Sequence, residues 1–600
     1  MNTDMHRRAF IIIGGIIFSI VIISAFLSNY TDNLFVNNNI PTSLLRSLGS
    51  ITNNIHNNLI YISFALRSNG TSSIPRIHNT TSTVSIVGEV NVGDLQRPLF
   101  KPFVGFDSGE SYLTRNFQAY KAAKNQSEII KPSTRVFVVK APFGSGASNI
   151  SSQEEQWSRL PRTNANTPAV LAKFEGLAEN CCIPPDVQVA AGTKYVVEMV
   201  NLDGAIYTKN GTLVKSFGLE FLFNPGAKGI GLQDEMSDPV LLFDSSSGRW
   251  FASISDITAH SIRVAISITD DPTGTWRVYN FPFEPQPNNC SDQPFIGLSD
   301  DKFVVTVNDW SNGCNWLSAN QPPEFRGVQF TVADKSDILK GSQTVRSMQS
   351  EPDLAYFSLH PVITLNHTTN LFIASVGDFN HTNVQVFHID GPLNNLHISL
   401  VSYLIQSTHV APDGIQSMTQ SISQITIEEH RISTGDARIV STAWYQGKLW
   451  LTFNDGCFMI GETKSRSCIR LVQIDTITNS VLQDFDVGTR ASSLYYPAIS
   501  IDKVGNLGMV FGYSSYSVYP SILVSTQLSN DKLDSIGDPQ YLKLGTTSEL
   551  SNRYGDYFAA SFDPSGTSVI WVAGEYHSVA TWSTYLGQLY TGMIPIRIMR

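Results

Sequence analysis

The chain has 600 residues, a formal charge of −10 and only 15% charged residues, against roughly a quarter in ordinary soluble chains. Such a balance excludes a nucleic-acid binder, whose phosphate contacts demand a basic face, and is too mild to imply a cationic partner. No GxGxxG, Walker, HExxH or GxSxG signature occurs, so nucleotide enzymes, zincins and serine hydrolases lack support. Twelve histidines without a close pair leave a transition-metal site equally unsupported.

At the amino terminus, residues 1–8 carry His6, Arg7 and Arg8 and precede the uncharged apolar run 9–27, AFIIIGGIIFSIVIISAFL. The run is about long enough to span a bilayer, and the basic cluster before it predicts a cytoplasmic tail and an extracytoplasmic body. An uncleaved signal-anchor is expected, giving a single-pass cell-membrane protein with its body outside. Cleavage would make it secreted. Residues 28–96 are rich in Asn, Ser and Thr and read as a stalk. Residues 97–166 hold one clear strand, TRVFVVKAPF, and one short helical pattern, NFQAYKAAKNQ, as a small cap or extension. Asn-x-Ser/Thr sequons at Asn29, Asn69, Asn79, Asn125, Asn149, Asn210, Asn289, Asn366 and Asn380 permit glycosylation.

Residues 167–600 follow a repeated plan, clearest at 238–283. There PVLLFD, RWFASIS, IRVAISI and TWRVYNF are separated by Ser, Gly, Asp, Thr and Pro turn chemistry such as SSSG and DDPTG. Four antiparallel strands in some forty residues make one propeller blade. Opening strands recur as PPDVQVAAG, SDPVLLFD, SDQPFIGLSD, LHPVITLN, DARIVSTAW, YYPAISIDK and YGDYFAASFD. Their markers are Asp186, Asp238, Asp292, His360, Asp436, Tyr496 and Asp556. The expected fold is an all-β, seven-bladed β-propeller, with six blades as runner-up because the fifth opening lacks its proline. AVLAKFEGL, ahead of the first unit, is placed to complete the last blade and remove both free sheet edges, with MIPIRIM the other option.

This grammar resembles a family of uncharacterised secreted bacterial and archaeal propellers with sialidase-like architecture. The residues that carry the resemblance are FEGL (174–177), PPDVQVAAG (184–192), SDPVLLFD with RWF, AISITDDPTGTW (265–276), RYGDYFAASFDPSG (553–566) and WVAGEY (571–576). The family implies the fold and no settled activity. SITDDPTGTW is also similar to the sialidase Asp-box, one residue too long, and Asp-boxes are structural turns.

In a blade the first strand starts, and the second ends, on the same rim. Strand openings therefore bring Asp186, Asp238, Asp292, His360 and Asp556 together as candidate ligand-binding groups. Second-strand ends add Asp256, Asn308, Asp309, Asp378, Asn454, Asp455, Glu575 and His577. RYGDY and GEYH stand out. Asp556, Glu575 and Tyr554 are the candidate catalytic residues, and Arg553, Tyr576 and His577 candidate ligand contacts, with Arg553 alternatively pairing only with Glu575. A sialidase mechanism would draw its arginine clamp from Arg263, Arg326, Arg490 and Arg553, and Trp310, Trp316 and Trp582 are binding or packing aromatics.

The six cysteines suit an oxidising compartment. Cys290–Cys314 and Cys457–Cys468 are the expected bridges, while Cys181 and Cys182 pair with each other or elsewhere. The expected function is recognition of a glycan or surface-protein ligand. An exo-acting glycoside hydrolase using rim carboxylates or Tyr is the alternative, and a structural envelope component the third reading. No cofactor is required, although the oxygen-rich rim suits Ca²⁺.

Overall fold

A computed structural model describes residues 74–78, 83–97, 136–139, 168–227, 236–283, 289–311, 325–376, 382–417, 431–551, 553–578 and 581–592, positions 258 and 260 excepted. The apolar run 9–27, Cys314, Trp316 and Asp378 fall outside these residues. Among the described residues no helix is long and apolar enough to cross a membrane.

Seven sheets, each built on four antiparallel strands, follow one another along the chain, so seven blades stand and six do not. Their inner strands are Gln188–Ala191, Met236–Asp244, Cys290–Leu298, His360–Pro361, Ile439–Tyr445, Ser492–Ile501 and Ala559–Phe562. The fifth blade forms without an opening proline because its hydrophobic runs, IVSTAWY and KLWLTFNDGC, supply the strands regardless. Ala169–Ala178 pairs antiparallel with Thr581–Tyr590, aligning Phe174 with Leu586. The last sheet is thus completed by a strand that precedes the first, which leaves no exposed seam between chain start and finish.

Blade strands bury both faces because each sheet is pressed between two others. Lys302–Trp310 and Leu507–Ser515 are buried at every position. Outer strands such as His397–Leu404 have mixed exposure. Seven hydrophobic clusters result, one between each adjacent pair of blades. Trp250, Trp276, Trp450, Trp571 and Trp582 are among the largest fully buried side chains. The indole nitrogens of Trp276, Trp571 and Trp582 donate to Pro272 O, Asp563 Oδ2 and Cys182 O at 2.9, 3.0 and 2.7 Å.

The amino-terminal boundary moves. Val84–Asn91, assigned to the stalk on composition, runs beside Thr275–Pro282 as an extra outer strand of the second blade. Ile77–His78 edges the third blade, and Val136–Val138 pairs parallel with Ser480–Gly488 of the fifth. The Asn- and Thr-rich flanks mask the apolar positions Val84, Ile86, Val90 and Val92 that make the first of these strands pair.

Candidate functional site

The inner strands open with an unusual backbone. Asp186, Asp238, Gln293, Ser358, Tyr496 and Asp556 all take positive φ, between 49° and 62°. Asp is among the few non-glycine residues that tolerate this region cheaply; Tyr496 is not. In the second, third and sixth blades the register shifts at this point, as between Asp292 and Phe295 and between Tyr495 and Ala498. Such bulges re-aim side chains at a sheet end.

The opening carboxylates do converge. Asp238 interacts with both Asp186 and Asp292, and Asp556 acts electrostatically on all three. Burial, then the charges of Asp292 and Asp556, push Asp238 up to about 8. Burial, followed by Asp556 and Asp238, raises Asp186 well above the carboxylate range. Asp292 is raised by burial, against the pull of Arg438. Two arginines share the space, each already paired. Arg553 meets Asp556 at 2.7 Å, with side chains 33% and 31% exposed, and Arg438 grips Asp436 through Nε at 2.7 and 2.9 Å. Arg438 also lies 4.8 Å from the centre of the Phe357 ring.

Further along, the inner strands of all seven blades line a cavity of about 120 Å³ that includes Val240, Phe295, His360, Ile499 and Tyr557 and runs on to Asp244, Ser245 and Phe562; none of the opening carboxylates and neither arginine lines it. Burial lowers His360 to about 4, so it stays neutral. Its Nδ1 donates to Pro361 O at 2.7 Å and its ring lies 4.3 Å from that of Phe295. Tyr557 is packed edge-on against Phe295 and receives a hydrogen bond from Gln293.

Amides at second-strand ends staple the openings. Asn201 Nδ2 donates to Pro184 O and to Asp186 Oδ2 at 3.0 and 2.7 Å, while its Oδ1 accepts from Asp238 N of the next blade at 3.1 Å. Asn454 repeats the device between Thr434 O and Tyr496 N, at 2.7 and 2.8 Å. Asn308 holds Gln293 Oε1 at 3.1 Å.

Glu575 and Tyr554 occupy a different environment from Asp556. Glu575 has 0% exposure, accepts from Gly555 N at 2.7 Å and meets His577 at 3.0 Å. Tyr554 is 1% exposed and donates its hydroxyl to Glu575 O at 2.6 Å. Burial pushes its phenol well above the usual range. Neither reaches solvent in this conformation, so both brace the turn that carries Arg553 and Asp556. Arg553 pairs with Asp556 and not with Glu575, because His577 already holds that carboxylate. His577 lies between Glu575 and Glu549, 2.9 Å from the latter. Burial opposes its charge, but bonds to Glu549 and Glu575 overcome this and raise it to about 10. Tyr576 turns to the closing strand, where it donates to Glu175 Oε2 at 2.7 Å beneath Lys543.

The other expected groups are committed to local pairs. Arg263 binds Asp256 at 3.0 Å and Arg326 meets Asp309 at 3.4 Å, each beside its own second strand, and Arg490 bonds Ile460 O. Asp455 belongs to a buried group in which Arg470, 0% exposed, meets Asp455, Asp484 and Asp486 at 2.6, 3.0 and 2.5 Å. Trp582 is 1% exposed and packs between blades; Trp310, 5% exposed, packs edge-on to Phe325. The segment resembling an Asp-box is a turn between the third and fourth strands of the second blade, where Asp271 Oδ1 accepts from Thr273 N at 2.9 Å. Cys457 bonds Cys468, Cys181 bonds Cys182, and Cys290 is disulfide-bonded, its expected partner Cys314 lying outside the described residues. Among the described residues no group of three or more His, Cys, Asp or Glu side chains is arranged to hold a metal ion.

Sequence reasoning missed Arg438, Gln293, Tyr557, Asn201 and Glu549. Arg438 and Gln293 stand one or two residues beyond the marker positions Asp436 and Asp292, so widening each marker to a triplet would have found both.

No protein-family model matches the chain, and no curated protein matches it in sequence. Similar solved structures include a protein of unknown function from Dyadobacter fermentans (10% identity, TM-score 0.33, covering 71% of this chain and 100% of that one). Others are the intramolecular trans-sialidase of Ruminococcus gnavus (9%, 0.34, 61% and 100%) and a sialidase of Streptococcus pneumoniae (9%, 0.34, 69% and 85%). At that distance they speak to neither substrate nor chemistry.

Proposed function

We propose that the propeller is a recognition module that receives a glycan at the axial mouth formed by the strand openings. The observation that carries this reading is the grouping of Asp186, Asp238, Asp292 and Asp556 with Arg438 and Arg553 at the strand openings, where each acts electrostatically on others of the group. Directed donors and acceptors of both signs suit a polyhydroxylated ring. The amide staples fix those groups before any ligand arrives, which limits the ordering cost of binding. An apolar run at 9–27 and paired cysteines fit display outside a membrane.

Hydrolysis is the second reading, and one observation favours it. Asp238, held protonated near neutral pH, stands close to Asp556, which is paired with an arginine; an acid and a base set apart by environment are what glycoside cleavage uses. The test is a glycan array and a panel of chromogenic glycosides, both with the full chain and with Asp556→Asn. Asparagine suits the positive φ at 556. The recognition reading expects array binding that falls at least ten-fold in the variant, with no glycoside cleaved. Turnover lost in Asp556→Asn would replace it with the hydrolase, and an array blank for the wild type together with no glycoside cleaved would end both.

A further inference from the structure

The described cysteines differ in what solvent can reach. Cys290, Cys457 and Cys468 are at most 1% exposed. Cys181 and Cys182 are half-buried, and the next residue, Ile183, is 45% exposed. Their bridge joins neighbouring residues, so it closes a small ring around one peptide unit. The ring sits in the link 179–187, between the strand that completes the last blade and the inner strand of the first. That link is pinned from two blades. Trp582 Nε1, in the last blade, donates to Cys182 O at 2.7 Å, while Cys181 Sγ lies 3.7 Å from Asn201 O in the first. Asn201 N and Nδ2 donate to Pro185 O and Pro184 O at 2.7 and 3.0 Å. Its Oδ1 accepts from Asp238 N of the second blade at 3.1 Å. The one solvent-accessible bridge among the described residues thus packs on the residue that staples two strand openings.

We propose that Cys181–Cys182 is a site of thiol–disulfide exchange with small thiols, and that its reduction releases the Asn201 staple. Attack on a disulfide needs a clear path to sulfur, which only this bridge offers. A thiolate of a dithiol attacks one sulfur, forming a mixed disulfide and expelling the other cysteine as a thiolate. The reagent's second sulfur then attacks the mixed disulfide, closes its own disulfide and releases the remaining cysteine. Two electrons pass to the bridge, and the reagent's two protons end on Cys181 and Cys182. A monothiol stalls at the mixed disulfide, because the expelled cysteine is held one residue away and recloses the bridge. Two thiols cannot remain at bonding distance, so the sulfurs separate in a space where Cys181 already packs on Asn201. The ring opens in the same step, and the backbone loses the constraint that aims Pro184 and Pro185 at Asn201. None of this depends on which ligand the mouth takes.

The experiment treats the folded full chain with dithiothreitol at neutral pH, quenches with iodoacetamide and locates the label by peptide mass spectrometry. Label is expected on Cys181 and Cys182 together, and on Cys290, Cys457 and Cys468 only after unfolding. Hydrogen exchange at single amides, before and after reduction, follows the staple. Asn201 N–H and Asp238 N–H should exchange roughly ten-fold faster in the reduced protein, as expected for losing one or two hydrogen bonds. Tyr496 N–H is held by Asn454 beside the buried Cys457–Cys468 bridge and should not change. The double variant Cys181→Ser with Cys182→Ser should show the reduced pattern without reductant and no response to it. The wild-type measurement needs no variant, so misfolding of the double variant leaves the test intact. Label on Cys181 and Cys182 without reductant, none there after it, or label on Cys457 and Cys468 in the folded chain overturns the exchange site. Labelled Cys181 and Cys182 with Asp238 N–H unchanged, or with Tyr496 N–H rising equally, overturns the release of the staple.

Discussion

His577 offers a measurable consequence of the bracing network. Its Nε2 lies 2.9 Å from Glu549 and 3.0 Å from Glu575, with Glu179 acting from further off and the Tyr554 ring 5.7 Å away. The ordinary histidine value of 6.5 rises to about 10 in this setting. A group whose folded value is raised contributes stability that is complete below its unfolded value and is lost as pH climbs to the folded one. His577 stabilisation is therefore full below pH 6.5 and fades between about 6.5 and 10. At ~1.36 kcal/mol per pH unit, the interval from pH 7 to 9.5 removes about 3 kcal/mol. With an unfolding entropy of ~2.1 cal/mol/K per residue over a propeller of roughly 425 residues, that is a fall in Tm of about 3–4 °C. The perturbation is Glu549→Gln. Two charges about 4 Å apart at an effective dielectric of ~20 interact by about 4 kcal/mol, so losing one should lower His577 by up to about 3 pH units. The assay is an NMR titration of ¹³C-histidine-labelled protein, with His577→Gln to identify the signal, alongside melts from pH 6 to 9.5. A His577 signal titrating near 6.5 in the wild type, or unmoved in Glu549→Gln, would refute the reasoning.

Further predictions concern the parts that hold the mouth. Asn201→Ala removes three hydrogen bonds spanning two blades and should cost about 2–3 kcal/mol by denaturant unfolding, with Asn454→Ala similar. Arg470→Met strands three carboxylates in the core and should cost about 3–5 kcal/mol, with partial rescue at low pH as the acids become neutral. Gly555 has φ +80° and a Cβ there would lie 2.4 Å from Tyr496 Cδ2, so Gly555→Ala should impair ligand binding more than Gly248→Ala, which meets open space at φ +64°. Asp556→Asn should fold normally and lose ligand, a dissociation that separates site from scaffold.

The blades were legible because their signal is local. Hydrophobic runs of five to ten residues alternate with turn chemistry, and the closing strand AVLAKFEGL could be found by asking what the last blade lacked. The convergence of Asp186, Asp238, Asp292 and Asp556 was also legible, since antiparallel connectivity puts all strand openings on one rim. Burial was not. Tyr554 sits two residues from half-buried Asp556 and Glu575 three from half-buried Ser578, and only the packing of Glu549 and His577 around them decides which way they face. Arg438 escaped notice because the marker of its opening was taken as the single residue Asp436, two positions before it. The strand Val84–Asn91 escaped because its partner lies nearly two hundred residues away in sequence, where composition has no reach.

The central claim is that the axial mouth, and no blade edge, is where this protein meets its ligand. The most direct measurement is a crystal structure of the full chain with the tightest-binding glycan from the array. The account predicts ligand density on the axis, within hydrogen-bonding distance of Asp238 and Asp556 and above the Tyr557 ring. A glycan bound on the outer strands, with the axial mouth unoccupied beside it, would contradict the account.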